Sequence, residues 1–136
     1  MRSKPEIIRR VRARARKRCE YCLMHESLQG ATFHLEHIVP SSHGGTSSPD
    51  NLGWACPTCN LRKSDRVEGI DPESGMMVNL FHPRLDHWSD HFEIDGHSIK
   101  GKTPGGRATV LLLDLNQPAR VHIRQAEELF GLFPPS

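Results

Sequence analysis

The segment that decides the fold is Phe33–Lys63, FHLEHIVPSSHGGTSSPDNLGWACPTCNLRK. It contains a Glu-His pair at Glu36 and His37, a Gly-Gly loop and a Cys-x-x-Cys-Asn sequence. A second Cys-x-x-Cys pair lies upstream and begins at Cys19. Cysteine pairs of this kind are typical of a metal site, and the polar residues between them indicate chemistry.

All the cysteines of the chain lie in these two pairs, Cys19 with Cys22 and Cys56 with Cys59. Four thiolates in two such pairs predict a tetrahedral Zn²⁺ site, and a filled tetrahedron predicts a structural role for the metal. The 33 residues between the pairs exceed the ~15–20 of a plain zinc ribbon, so a functional segment is inserted there. The alternative, a pair of redox dithiols, needs a thioredoxin-like βαβ context that the chain lacks.

A length of 136 residues fits one domain, or one domain with an extension. No apolar run approaches the ~18 residues that span a bilayer, and the N-terminus has no signal-peptide pattern, so we expect a soluble cytoplasmic protein without a membrane partner. Residues 1–18 hold nine Lys or Arg and one acid, whereas the rest hold nine basic and fifteen acidic residues. This asymmetry describes a basic arm on an acidic body.

The basic arm is predicted to be a helix over residues 5–18, with an apolar stripe of Ile7, Ile8, Val11 and Ala15. Its crowded positive charges favour an anionic partner, and we expect nucleic acid to contact Arg9, Arg10, Arg12, Arg14, Arg16, Lys17 and Arg18. The alternative is a helix whose arginines are simply solvated.

The remaining elements follow from periodicity and from turn residues. In the central segment we predict a strand over 32–39, a polar loop over 41–51, a strand over 52–55 that pairs antiparallel with the first, and a helix from Pro57 or Thr58 to 66. Beyond it we predict a linker over 68–75, a strand over 76–80, a hairpin over 90–102 that turns at Asp95-Gly96, and helices over 104–115 and about 118–130.

The inserted segment has the residue types that phosphodiester hydrolysis requires. His37 is a suitable general base because an imidazole is neutral near pH 7. Glu36 offers a carboxylate and Asn60 an amide oxygen, which are hard ligands that suit Mg²⁺ or Mn²⁺, although other divalent cations remain open.

The sequences HLEHIVP, GG, DNL and CPTCNLRK, in this order and spacing, resemble the HNH nuclease family. The resemblance covers residues 19–66 and implies an α+β protein with a ββα-metal (HNH) core that a four-cysteine zinc site staples. We therefore expect three parts: a basic helical arm over 1–18, the nuclease core over 19–66, and an extension over 67–136 with a hairpin and two helices. Similar extensions occur on some bacterial HNH proteins.

The resemblance also implies roles within the segment. His37 looks like the base that activates water, Glu36 and Asn60 occupy the positions of the metal ligands, and Asn51 that of the Asn that braces the loop and orients the base. His34 shares a strand face with Glu36 and is a third ligand, a phosphate contact or a structural histidine. The implied reaction is hydrolysis of double-stranded DNA that leaves a 5′ phosphate and a 3′ hydroxyl; cleavage of both strands by this single site would require a homodimer.

Other residues carry weaker signals. Arg62 and Lys63 are phosphate clamps or ordinary solvated charges, and His43 is assigned to the loop. The group His82, His87 and His91 predicts either a second metal site or structural histidines, while Trp88 and Phe92 are expected to pack the later hairpin. The extension could dock DNA, dimerise or brace the core.

Two other classes of function compete with the nuclease. A non-catalytic zinc-containing module that binds nucleic acid would need the cysteines and arginines, but it has no use for Glu36, His37, Asn51 and Asn60 together. A protein–protein adaptor with a zinc knuckle explains neither these residues nor the basic arm.

Overall fold

The protein is an α+β fold of short elements, as predicted, and the computed structural model describes residues 4–136. Six strands pair as three separate antiparallel hairpins. The strands are β1 His34–His37, β2 Leu52–Ala55, β3 Glu68–Ile70, β4 Met77–Asn79, β5 Phe92–Asp95 and β6 Ser98–Gly101. The helices are α1 Lys4–Arg14, α2 Pro57–Lys63, α3 Trp88–His91, α4 Pro104–Leu113 and α5 Pro118–Leu129. Within the described residues no helix has the length and apolar character to span a bilayer.

The first hairpin and α2 form the predicted ββα unit. Glu36 lies opposite Gly53, and His37 lies opposite Leu52. Strand β2 spans the predicted residues, while β1 is shorter than the predicted 32–39. Helix α2 ends at Lys63 and not at 66, because Ser64 turns the backbone to a φ of 50°. The ββα unit thus brings β1 and α2 side by side.

The basic helix is shorter than predicted. Helix α1 ends at Arg14, since Arg16 and Lys17 adopt φ values of 57° and 60°. This turn directs the chain into the first cysteine pair. The predicted apolar stripe is confirmed, with Val11 buried and Ile7, Ile8 and Ala15 packed against the core.

The prediction of a linker over 68–75 is wrong, because β3 and β4 form a hairpin there. The buried carboxylate of Asp71 holds its turn by accepting hydrogen bonds from the Glu73 backbone and the Ser74 hydroxyl. Arg107 of α4 forms a bidentate ion pair with the same carboxylate. Since Ile70 and Met77 are exposed, the strands lack an apolar alternation that would have indicated them.

The later hairpin and the last two helices agree with the sequence predictions. Gly96, with a φ of 64°, forms the turn between β5 and β6. Thr103 caps α4 by accepting a hydrogen bond from the Gly106 amide at 3.0 Å. A Cβ at Gly106 would overlap the carbonyl oxygen of His91, so glycine permits the close packing of α4 against α3.

A single apolar core joins the N-terminal half of the described chain to the extension over 67–136. Its buried members from the N-terminal half include Val11, Tyr21, Met24, Phe33, Leu52, Trp54 and the four cysteines. Those from the extension are Phe81, Phe92, Ile99, Leu113 and Leu115. The extension therefore packs on the N-terminal half and braces it.

Candidate active site

The four cysteines form one buried cluster. The sulfurs of Cys19, Cys22, Cys56 and Cys59 all lie within 4.8 Å of one another. The Cys22 and Cys56 sulfurs are 3.8 Å apart, which is close to the edge of about 3.8 Å that Zn–S bonds of ~2.3 Å give a tetrahedron. The cluster therefore fits a structural Zn²⁺ ion.

An arginine from the extension compensates the charge of this cluster. The Arg120 guanidinium donates to the Cys59 sulfur at 2.8 Å and lies 3.6 Å from that of Cys56. Burial raises the pKa of the Cys59 thiol. Burial would lower the pKa of Arg120, but the neighbouring cysteines raise it above its usual range. Sequence reasoning missed Arg120, which is 61 residues from Cys59 and belongs to no motif.

His37 lies at the exposed end of β1, where a general base can meet solvent. Its Nε2 is 3.0 Å from the hydroxyl oxygen of Ser47. This contact holds the imidazole ring against the loop. Sequence reasoning assigned Ser47 only to a polar loop, because serine is common in loops.

Asn51 braces that loop. Its side-chain oxygen accepts from the Val39 amide at 2.9 Å, and its NH₂ donates to the carbonyls of Val39 at 2.8 Å and Thr46 at 2.7 Å. Among the described residues, no hydrogen bond joins its side chain to that of His37. Val39 follows His37 by two residues and Thr46 precedes Ser47, so Asn51 acts on His37 through both flanks.

Glu36 is buried, with 4% of its surface exposed. Its Oε1 accepts from Lys63 Nζ at 2.6 Å and from the Tyr21 hydroxyl at 3.0 Å. Burial raises the pKa of Glu36, and Lys63 opposes that shift. The Oε2 atom is buried without a hydrogen-bond partner among the described residues, so the described residues leave one carboxylate oxygen unsatisfied.

Lys63 is not the phosphate clamp that the sequence suggested. It is buried, with 1% of its surface exposed, and it also donates to the Ile38 carbonyl at 2.7 Å. The cause is its position on the face of α2 that packs on β1. Lys63 therefore ties α2 to β1 and neutralises Glu36.

The other predicted ligands lie on the same two elements. Asn60 is half-buried on α2, three residues before Lys63 and therefore on the same helix face. His34 is exposed on β1, and among the described residues it does not form a three-ligand cluster with Glu36 and His37. Glu36 and Asn60 carry the hard oxygen donors that a divalent cation prefers, so they are the residues of these two elements that could hold one. His43 is exposed in the loop, where the sequence had assigned it.

The basic arm divides into two groups. Arg12 pairs with Glu26, Arg14 donates to the Pro49 and Leu52 carbonyls, and Arg18 donates to those of Leu23 and Leu132. These three hold the arm and the chain ends together. The second group of the arm is Arg9, Arg10, Arg16 and Lys17, which are exposed. Arg62 on α2 is also exposed and lies 3.4 Å from Asp114.

The histidines of the extension do not form a second metal site. Within residues 4–136, the four cysteines are the group of His, Cys, Asp and Glu side chains that could hold an ion. His82 Nδ1 instead accepts from the amides of Arg84 and Leu85, and His91 Nδ1 contacts the Thr103 hydroxyl. His87 precedes α3 and is exposed.

The aromatic residues beside them pack as predicted. The Trp88 and Phe92 rings lie with centroids 4.9 Å apart. Trp88 Nε1 donates to the Tyr21 carbonyl at 3.0 Å. This bond links the extension to the first cysteine pair.

Comparison with known proteins agrees with this geometry. Residues 19–66 match the family model described as HNH endonuclease. The chain is also similar to the Septu protein PtuB of Bacillus thuringiensis, with 26% identity over 120 residues. That alignment covers 87% of this chain but 44% of the relative, so the chain spans less than half of that protein's length. No solved structure matches the chain. Residues 19–66 are therefore a domain of the HNH endonuclease family.

Proposed function

We propose that the protein is a metal-dependent endonuclease that hydrolyses DNA phosphodiester bonds, with His37 as general base. The observation that supports this most is an exposed imidazole at His37 next to a buried carboxylate at the preceding residue, Glu36. One oxygen of that carboxylate has no hydrogen-bond partner within residues 4–136. A purely structural strand has no need for a buried, half-satisfied carboxylate.

In the proposed reaction His37 removes a proton from water through a ring nitrogen, and the water oxygen attacks phosphorus. The bond from phosphorus to the 3′ oxygen breaks, and that oxygen takes a proton from solvent, which leaves a 5′ phosphate and a 3′ hydroxyl. A bound divalent cation, Mg²⁺ or Mn²⁺, would neutralise charge on the phosphate and on the departing oxygen. Glu36 and Asn60 would hold it, and Asn51 keeps the loop around His37 in shape.

Exposed cations would hold the DNA backbone. Arg9, Arg10, Arg16 and Lys17 are exposed, whereas Arg12, Arg14 and Arg18 are engaged within the protein. We expect the first four to supply most of the electrostatic attraction. Since each phosphate contact releases counterions, binding should weaken steeply with added salt.

One observation favours a second candidate, a non-catalytic zinc-containing module that binds nucleic acid. The buried ion pair with Lys63 satisfies the other carboxylate oxygen of Glu36 without a metal ion. In this reading the carboxylate serves only to join β1 to α2.

Plasmid cleavage separates the two candidates. Wild-type protein with Mg²⁺ or Mn²⁺ should nick or linearise plasmid DNA, and a chelator should stop it. His37→Ala should lose at least about a hundredfold in rate, and Asn60→Ala should be folded but inactive. His43→Ala, which alters an exposed histidine of the same loop, is the matched control and should retain activity.

The ends of the products test the proposed bond cleavage. Ligation without prior phosphate treatment requires 5′ phosphate and 3′ hydroxyl ends. Unchanged cleavage by His37→Ala would refute the mechanism. DNA binding without cleavage under either metal would support the binding module.

A further inference from the structure

A cavity of about 560 Å³ lies beside the candidate active site. One wall comes from the nuclease segment, through Ile38, Val39 and Lys63. The other comes from the extension, through β4, the segment around His82, and the start of α4. Ile38 directly follows His37, so the cavity adjoins the strand that carries the proposed base.

The walls of the cavity suit a flat, uncharged group. Val67, Val78, Leu80 and Leu85 are among the apolar residues that line it. The charge of Lys63 is already paired with Glu36 at 2.6 Å. A free anion would therefore find no unpaired Lys or Arg among these wall residues, whereas an aromatic ring would find apolar contact on its faces.

Two imidazoles supply hydrogen-bond donors at one end. His82 Nδ1 accepts from the amides of Arg84 at 3.1 Å and Leu85 at 3.2 Å, so its proton must lie on Nε2. Burial lowers the pKa of His82 and keeps the ring neutral. Its Nε2–H has no partner within residues 4–136.

The neighbours of His91 favour the same tautomer. Its Nδ1 lies 2.6 Å from the Thr103 hydroxyl oxygen, which can donate to that nitrogen while it accepts from the Gly106 amide. An oxygen of Asp86 lies 3.9 Å from His91 Nε2, and its negative charge favours a proton on that nitrogen. The cavity thus combines apolar walls with two N–H donors and a carboxylate acceptor.

We propose that this cavity binds the base of a nucleotide next to the bond that is cut. The volume lies within the range of small-molecule sites, and apolar faces with a few polar groups at one edge are what a nucleobase requires. The inference rests on the proposed nuclease function and specifies its substrate. Because a base inside a duplex cannot enter, the enzyme should act best where a base is unpaired or is turned out of the helix.

Abasic substitution tests this substrate preference. In this test, wild-type protein is incubated with DNA hairpins that carry a single-stranded loop, and each loop nucleotide is replaced in turn by an abasic one. Loss of one base beside the cut should slow cleavage about tenfold or more, as loss of a stacked base does elsewhere. A fully paired control duplex should be cut more slowly than the loop.

A cavity-filling variant provides the matched protein test. Val78→Phe places a larger side chain in the cavity, whereas Met77→Phe changes the neighbouring exposed residue on the opposite face of β4. Val78→Phe should cleave the intact hairpin and the abasic hairpin at the same rate. That rate should equal the slow rate at which wild type cleaves the abasic hairpin. Met77→Phe should behave as wild type.

The two proposals fail differently. If wild type cleaves the hairpin and every abasic substrate within about twofold, the cavity proposal is overturned and the nuclease stands. If wild type cleaves nothing, the nuclease proposal fails, and binding of a 2-aminopurine hairpin to His37→Ala decides the cavity by itself. A change in 2-aminopurine fluorescence that Val78→Phe abolishes supports the site; an unchanged signal refutes it.

Discussion

Two neighbouring residues on β1, Glu36 and His37, lie in opposite environments. His37 is exposed at the strand end, whereas Glu36 is buried and paired with Lys63 and Tyr21. Alternation along a strand causes this, because successive side chains point to opposite faces. One dipeptide can therefore present a base to solvent and a carboxylate to the packed side of the hairpin.

Removing Lys63 should leave Glu36 buried without its cation. We expect Lys63→Met to lower the free energy of unfolding by about 3 kcal/mol at pH 8. The raised pKa of Glu36 lets it take up a proton as the pH falls, so the loss should be smaller at pH 5. Urea unfolding at both pH values measures the difference.

The double variant Glu36→Gln with Lys63→Met is the control for that prediction. It removes both charges and should recover most of the stability. If Lys63→Met costs the same at pH 5 and pH 8, the ion pair is not the cause.

The loop has no space for a side chain at Gly45. A Cβ there would overlap the Val39 carbonyl and lie 2.8 Å from the Asn51 amide nitrogen. Gly45→Ala should therefore cost about 1–3 kcal/mol and displace the loop that holds His37. At Gly44 an added Cβ would meet no atom within 4 Å, but the φ of 84° is unfavourable for alanine. Gly44→Ala should therefore lower the free energy of unfolding only by this backbone strain, about 1 kcal/mol.

Thermal unfolding and plasmid cleavage together check the two glycine variants. Gly45→Ala should lose more activity than Gly44→Ala at a temperature where both are folded. Equal activity of the two would show that the loop tolerates displacement.

At the scale of elements, α5 supplies a hydrogen-bond donor to the thiolate cluster although it lies far along the chain. Arg120 and Arg124 are both buried on this helix and both donate to backbone carbonyls, but Arg120 alone of the two donates to cysteine sulfur within residues 4–136. The pair is a natural comparison, because each substitution removes one buried guanidinium.

Arg120→Met should weaken zinc retention about 10- to 100-fold, as loss of a residue that contacts metal ligands generally does. Arg124→Met should destabilise the fold without that effect on the metal. Zinc transfer to a chromogenic chelator under native conditions measures retention directly. Equal zinc loss from both variants would assign the effect to unfolding.

Elements with local signals could be predicted from the sequence, and those held by distant partners could not. The cysteine pairs, the β1–β2 hairpin and the Thr103 cap each depend on residues within a short window. The β3–β4 hairpin depends on Arg107 reaching Asp71 from α4, so its own residues resembled a linker. Likewise, Lys63 resembled an ordinary helix charge because its partner lies on another element.

At the scale of the whole molecule, buried charges also join the two halves. Glu127 on α5 is buried and accepts from the His25 backbone amide at 2.9 Å. Burial raises its pKa to about 7. The folded protein therefore retains a proton that the unfolded chain releases, so this group's contribution to stability falls as the pH rises from about 4.5 to 7.

Glu127→Gln should remove that pH dependence. The amide oxygen can still accept from His25, while no charge forms in the core. The difference in free energy of unfolding, variant minus wild type, should be about 1–2 kcal/mol larger at pH 8 than at pH 5. Chemical unfolding at the two pH values tests this, and a constant difference between the proteins would contradict it.

The position of Tyr21 has a consequence for how such a protein can be divided. Its hydroxyl donates to Glu36, its carbonyl accepts from Trp88 of the extension, and it lies between two zinc-ligand positions, Cys19 and Cys22. A fragment that ended at residue 66 would keep the family's motif but lose Trp88 and Arg120. A recombination event that moved this domain into another protein would have to carry α5 with the four cysteines to keep the Arg120 contact, so the unit that evolution can transfer is larger than the motif.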